Sequence, residues 1–199
     1  MRYPKLRELK EAIRALFQGP YTSRFPAEPH QPFERFRGKP EFHEADCVGC
    51  GACFQVCPTG AIKMRDAAGE RVLTVSWDVC IACGQCQANC LTEKGIILSR
   101  EFDLATTGDR KELKQEIKKK LLLCECCGEA VAPYEQLLWV AKRLGPLVFS
   151  NASLMLFYLE NTNQIKEENY SLEPEAELHR ADRIKVLCPR CRREAVIKS

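Results

Sequence analysis

Apolar positions in this chain change their period several times, and each change marks an element. Leu6, Leu9, Ile13, Leu16 and Phe17 recur at helical spacing, with Arg7, Lys10, Glu11 and Arg14 between them. This predicts an amphipathic helix over residues 4–17, stopped by Gly19-Pro20. Such a stripe needs cover, from the chain's own core or from outside; the basic face points to a docking helix on a partner or membrane surface. Periodicity then disappears over residues 18–40. Pro20, Pro26, Pro29, Pro32 and Pro40 forbid regular structure, while Tyr21, Phe25, Phe33 and Phe36 are too many aromatics for a solvated tail. An ordered, extended arm is expected.

A period of two follows. Arg71–Trp77 alternates Val72, Thr74 and Ser76 against Leu73, Val75 and Trp77, a half-buried strand. Shorter strands are expected over 41–44, 61–64 and 95–98, with a turn at 65–70 around Gly69. A helical period returns at Leu113, Ile117 and Leu121, behind a capping-box-like Asp109 and Glu112, and predicts a helix to residue 123 with Lys118–Lys120 on its solvated face. Two more helices are predicted, Pro133–Leu144 and Asn151–Asn161. The second is apolar nearly all round through Leu154, Met155, Leu156, Phe157 and Leu159, so it must be buried. A polar loop over 162–174 and a strand over 183–187 complete the pattern.

No run is apolar enough to cross a membrane: Leu137–Leu159 is broken by Lys142, Arg143, Gly145 and Pro146, short of the ~18–20 residues a span requires. The N-terminus, charged from Arg2, does not read as a secretory signal.

Thirteen cysteines in 199 residues carry the chemistry. Cys47, Cys50, Cys53 and Cys57 are spaced C-x2-C-x2-C-x3-C, and Cys80, Cys83, Cys86 and Cys90 repeat that spacing 33 residues on. This internal duplication is the spacing that wraps a [4Fe-4S] cube: three close thiolates grip one side, and the fourth comes from farther away. In two-cluster ferredoxins that fourth thiolate serves the other cube, so a crossed arrangement is predicted. Cys47, Cys50, Cys53 and Cys90 hold one cube; Cys80, Cys83, Cys86 and Cys57 hold the other. Gly49, Gly51 and Gly84 let backbone N–H groups turn toward the clusters. Pro58 follows Cys57, whereas Leu91 follows Cys90 where a second proline is usual.

Cys124, Cys126, Cys127 and Gly128 form one knuckle and Cys188 and Cys191 another. Two such knuckles make a tetrathiolate site, with Cys124, Cys127, Cys188 and Cys191 as ligands and Cys126 as the spare. Zinc is the leading metal and rubredoxin-like iron the alternative. The metals alter the charge picture. The formal net charge is +3, but two cubes and a zinc tetrathiolate carry roughly −2 each and bring the total to about −3. A nucleic-acid partner is not expected. Free thiols in this number indicate a reducing compartment, the cytoplasm. His30, His43 and His179 have no pairing that suggests catalysis, and no phosphate loop, nucleophile elbow or dinucleotide fingerprint is present.

With those motifs in view, residues 41–100 resemble a bacterial-type ferredoxin with two [4Fe-4S] clusters. The wider chain, with Arg35-Phe36-Arg37-Gly38-Lys39-Pro40 before the first cluster strand, resembles the ferredoxin-like subunit of membrane-bound [NiFe] hydrogenases and formate hydrogenlyases. That subunit is similar in turn to the two-cluster subunit of respiratory complex I. The expected fold is α+β: a docking helix and proline-rich arm (1–40), a two-cluster ferredoxin domain (41–102) and a helical lobe closed by a rubredoxin-like or zinc-ribbon-like site (103–199). The resemblance implies a non-catalytic electron relay within a membrane-associated hydrogenase complex, on the cytoplasmic face and held there by partner subunits. The alternatives are a complex I-type quinone oxidoreductase subunit and a free soluble ferredoxin.

Overall fold

The computed structural model describes residues 5–19, 22–162 and 184–197. The chain divides into two units, residues 1–36 and 37–199. The first contains helix α1 (Leu6–Gln18). Glu8 Oε2 accepts the Lys5 N–H at 3.0 Å, and the Gly19 N–H closes the last turn on Ala15 O at 3.0 Å. Its apolar stripe faces outward: Leu6, Leu16 and Phe17 are each more than 80% exposed, and no residue of the helix is buried. Residues 22–36 contain turns but no regular element, as their prolines require.

Two sheets build the second unit. In the smaller, β1 (Pro40–Phe42) pairs antiparallel with β4 (Ile96–Leu98), with Phe42 opposite Ile96. In the larger, β2 (Ile62–Ala67), β3 (Glu70–Ser76), β5 (Lys114–Leu123) and β6 (Ala130–Pro133) lie in that order, all antiparallel. β2 and β3 meet at Ala68-Gly69, both at positive φ, a two-residue turn whose twist matches the strands it joins. Short helices α2 (Ala52–Gln55) and α3 (Gln85–Ala88) each carry the third cysteine of a triplet, Cys53 and Cys86. Phe42, Ile62, Leu73, Val75, Ile96 and Ile117 form the core between the sheets, together with Cys47, Cys53 and Cys86. The Gln115 amide joins the sheets: its Oε1 accepts the Phe42 N–H at 2.7 Å, and its Nε2 donates to Phe42 O at 3.1 Å.

β5 corrects the sequence reading. The stretch expected as a helix up to Leu123 is a ten-residue strand paired with β3 from Ser76↔Lys114 to Glu70↔Lys120. Ile117, Lys119 and Leu121 are its buried side. The period is two from Lys114 to Leu121, but a buried lysine stands between the two apolar residues and hides it, leaving the helical spacing of Leu113, Ile117 and Leu121 more conspicuous. Asp109 does cap a turn, accepting the Lys111 N–H at 3.1 Å, but that turn is a single 3₁₀ stretch, Arg110–Leu113.

β6 leads into α4 (Tyr134–Leu144), a 3₁₀ turn over Gly145–Ser150, and α5 (Ala152–Asn161), in good agreement with the predicted helices. Phe157 is fully buried, edge-on to Tyr134 with ring centroids 5.1 Å apart, and packs with Leu122 and Val186. Helix α6 (Pro189–Ile197) ends the described chain. Residues 184–188 carry no strand pairing, contrary to the expected strand. They are held instead by a bond from the Glu125 N–H to Val186 O at 3.0 Å and by the Ser153 hydroxyl. The polar loop beyond Thr162 and His179 lie outside the described residues. No helix among the described residues is long and apolar enough to cross a membrane.

Candidate metal centres

Between the second and third cysteine of each triplet stands a glycine in the left-handed region, Gly51 (φ 77°) and Gly84 (φ 80°), which starts the short helix that carries the third cysteine. A side chain at Gly51 would also lie 2.7 Å from Met64 Sδ. This tight reversal turns three thiols of one loop into a common space. Ala82 occupies the place of Gly49 in the second loop and takes the same unusual conformation (φ 50°); its N–H approaches Cys80 Sγ at 3.4 Å.

Two hollows result. One is lined by Cys47, Cys50 and Cys53 together with Cys90, and closed by Phe42, Leu73 and Ile96. The other is lined by Cys80, Cys83 and Cys86 together with Cys57, and closed by Pro40, Ile62 and Leu98. Neither lining contains a charged side chain. A threonine follows each fourth cysteine by two residues: Cys57 Sγ lies 3.8 Å from Thr59 Oγ1, and Cys90 Sγ lies 3.5 Å from Thr92 Oγ1. The cysteine spacing alone does not point to these threonines, although they sit at the same 33-residue offset.

Ionisation behaviour divides the two kinds of cysteine. Burial pushes the Cys53 thiol up to about 12 and the Cys86 thiol up to about 11. Burial also acts on Cys57 and Cys90, but backbone N–H groups and the threonine hydroxyls outweigh it and hold both thiols below the ordinary cysteine value. Soft thiols, shielding apolar walls and inward N–H groups are the donor set an iron–sulfur cube requires, so the residues fit that group.

Cations approach the loops from behind. Arg71 makes two bonds to Asp66, each 2.8 Å, and donates from Nη1 to Gly49 O at 3.1 Å. Arg37 donates to Cys83 O at 3.0 Å. Lys119, only 6% exposed, donates to Glu44 O at 2.7 Å. The expectation of a solvated Lys118–Lys120 face fails at Lys119. Trp77 Nε1 donates to Pro40 O at 2.7 Å, and Trp77 packs against the core as expected for a structural aromatic.

Cys124, Cys127, Cys188 and Cys191 converge at the other end of the unit, all four Sγ atoms within 4.8 Å of one another. A tetrahedral zinc tetrathiolate places its sulfurs about 3.8 Å apart, so the group is near binding geometry. Gly128 N–H bonds Cys124 O at 2.9 Å to close the first knuckle, and Cys191 N–H points at Cys188 Sγ at 3.5 Å in the second. Burial opposes ionisation of Cys124, but the N–H groups around it hold its thiol at about 7. Cys126 packs beside the group without belonging to it. His30 and His43 lie in neither kind of site.

Residues 25–61 and 46–94 match the 4Fe-4S dicluster domain. The chain is similar to formate hydrogenlyase subunit 6 of Escherichia coli, with 34% identity over 134 residues, 65% of this chain and 70% of that protein. It is 31% identical over 104 residues to NAD(P)H-quinone oxidoreductase subunit I of Gloeobacter violaceus, covering 49% of each. Against NADH-quinone oxidoreductase subunit I 2 of Geobacter metallireducens it is 30% identical over 131 residues, 60% of this chain and 96% of that one. The cysteine loops, their ferredoxin-like setting and these likenesses agree: the chain belongs to the family of 4Fe-4S subunits that includes formate hydrogenlyase subunit 6 and the I subunits of quinone oxidoreductases.

Proposed function

We propose that this chain is an electron-relay subunit of a membrane-associated hydrogenase complex of the formate hydrogenlyase kind, carrying two [4Fe-4S] clusters and one zinc. The observation that carries the reading is the pair of hollows, each lined by a triplet from one loop and the fourth cysteine of the other. On this reading Cys47, Cys50, Cys53 and Cys90 hold one cube, and Cys80, Cys83, Cys86 and Cys57 the other. Each cube, when bound, supplies reversible one-electron transfer. The chain's own residues do the rest. Phe42, Leu73 and Ile96 keep water from one cluster, and Ile62, Pro40 and Leu98 from the other. Thr59, Thr92 and the inward N–H groups stabilise thiolate charge. Helices α2 and α3, which carry Cys53 and Cys86, lie against each other, which supports two sites near enough for electron hopping.

Cys124, Cys127, Cys188 and Cys191 hold zinc, or iron in rubredoxin fashion, and tie α6 to the end of β5. A zinc-ribbon-like lobe, a ferredoxin domain and an N-terminal docking segment then form one working subunit on the cytoplasmic face. The apolar stripe of α1 (Leu6, Leu9, Ile13, Leu16 and Phe17) supports a role in docking against partner subunits. The second reading is a complex I-type quinone oxidoreductase subunit, favoured by the 96% coverage of the Geobacter metallireducens relative. Co-purification from native membranes with iron, zinc, nickel and sulfide analysis separates the two. Nickel recovered with the chain supports the hydrogenase reading. A quinone-reactive assembly without nickel replaces it with the second, and a chain recovered free of partners overturns both.

A further inference from the structure

Lys119 is the feature that the cluster motifs do not account for. It projects inward from β5, between Ile117 and Leu121, and is 6% exposed. Its stem lies against the first cysteine loop: a side-chain carbon built on Gly49 would meet Lys119 Cγ at 3.0 Å and Cβ at 3.1 Å. Its ammonium group donates to Glu44 O at 2.7 Å, just ahead of Cys47, and lies 3.6 Å from Glu135 Oε1 on α4. The other carboxylate oxygen, Glu135 Oε2, is buried with no hydrogen-bond partner. The second cysteine loop has a different neighbour: Arg37, an exposed guanidinium on Cys83 O.

A buried ammonium is costly to desolvate and makes a poor structural filler. Beside a site that gains negative charge, the same group is useful. Adding one electron to a four-thiolate cube takes it from about −2 to about −3, and a nearby cation kept from water favours that step far more than a solvated one does.

We propose that Lys119 is a positioning residue for redox potential: its buried charge selectively raises the potential of the cluster held by Cys47, Cys50 and Cys53, with Glu135 as the counter-charge that limits the effect. The two cubes of an internal duplication are thereby made unequal by a strand from outside the repeat. The electron comes from an external low-potential one-electron donor; no bond forms or breaks and no proton moves. The proposal rests on the two-cluster reading above.

The test is an EPR-monitored redox titration of the full chain, reconstituted anaerobically with iron and sulfide. Iron analysis comes first and tests the reading separately: about eight irons per chain supports two cubes, and about four or fewer overturns the reading itself. In Lys119→Met one midpoint moves to lower potential while the other stays fixed; in Lys119→Arg it returns toward wild type. Glu135→Gln leaves β5 intact and keeps the test valid if Lys119→Met loses iron: it moves that same midpoint upward. Arg37→Leu leaves it unmoved. Two midpoints that stay fixed in Lys119→Met and Glu135→Gln, or that move together, would overturn the proposal.

Discussion

Replacing Ser153 by alanine removes one oxygen and loosens a metal site that this residue never touches. Ser153 sits at the start of α5, 6% exposed, and its hydroxyl accepts the buried Leu187 N–H at 3.0 Å and donates to Lys185 O at 3.1 Å. Arg192 also donates to it. Among the described residues no strand pairs with 185–187, and this hydroxyl anchors the segment that delivers Cys188. In Ser153→Ala the Leu187 N–H stays buried without an acceptor, and the loss of that bond together with the one to Lys185 amounts to about 2 kcal/mol. Metal binding is coupled to the fold of such knuckles, so the cost appears as weaker metal affinity, about 30-fold. Competition between the reconstituted chain and a chromophoric zinc chelator measures it, with cluster absorbance as the control that the ferredoxin part is intact. A zinc affinity within about threefold of wild type would refute the reasoning, because the metal alone would then position Cys188.

Three further outcomes are expected. Gly95→Ala places a methyl group 3.1 Å from both Cys47 Cα and Cys90 Sγ; iron per chain should fall from about eight to about four, because only one hollow is obstructed. Phe157→Ala empties a fully buried site between α4, β5 and Val186, costing about 3–5 kcal/mol of lobe stability, seen as faster hydrogen exchange in α5 with exchange in β2 and β3 unchanged. Asp66 is held below the usual carboxylate range by Arg71. Its contribution is therefore present above the ordinary carboxylate pKa and lost as pH falls through its lowered value, so Asp66→Asn should cost about 0.5–1 kcal/mol in urea unfolding at about pH 7 and progressively less as the pH falls below the ordinary carboxylate range.

Much of this arrangement was legible in the residues. Cysteine spacing is a local code, because ligand geometry dictates loop length; the same applies to the convergence of Cys124 and Cys127 with Cys188 and Cys191. Strand β3 and helices α4 and α5 follow from unbroken periodicity, whereas β2 runs to Ala67, through the first half of the expected turn over 65–70, because Arg65, Asp66 and Ala67 pair with Val72, Arg71 and Glu70. The failures have one source. β5 was hidden because Lys119 breaks its apolar face, and a lysine is buried there only because of a cysteine loop and a glutamate far away in sequence. Residues 184–188 form no strand with any described segment, and side-chain anchors such as Ser153 and Glu125 hold them. Arg71 and Arg37, which brace the two loops, carry no signal beyond ordinary surface charge. What tertiary contact decides, a single sequence conceals.

The central claim is that the fourth thiolate of each loop crosses to the opposite site. Anomalous diffraction at the iron edge, on crystals of the anaerobically reconstituted chain, tests it directly. The account predicts two four-iron peaks, with Cys90 Sγ bonded to the cube of Cys47, Cys50 and Cys53, and Cys57 Sγ to the cube of Cys80, Cys83 and Cys86. A single iron peak, or Cys57 bonded to the same cube as Cys53, would contradict it.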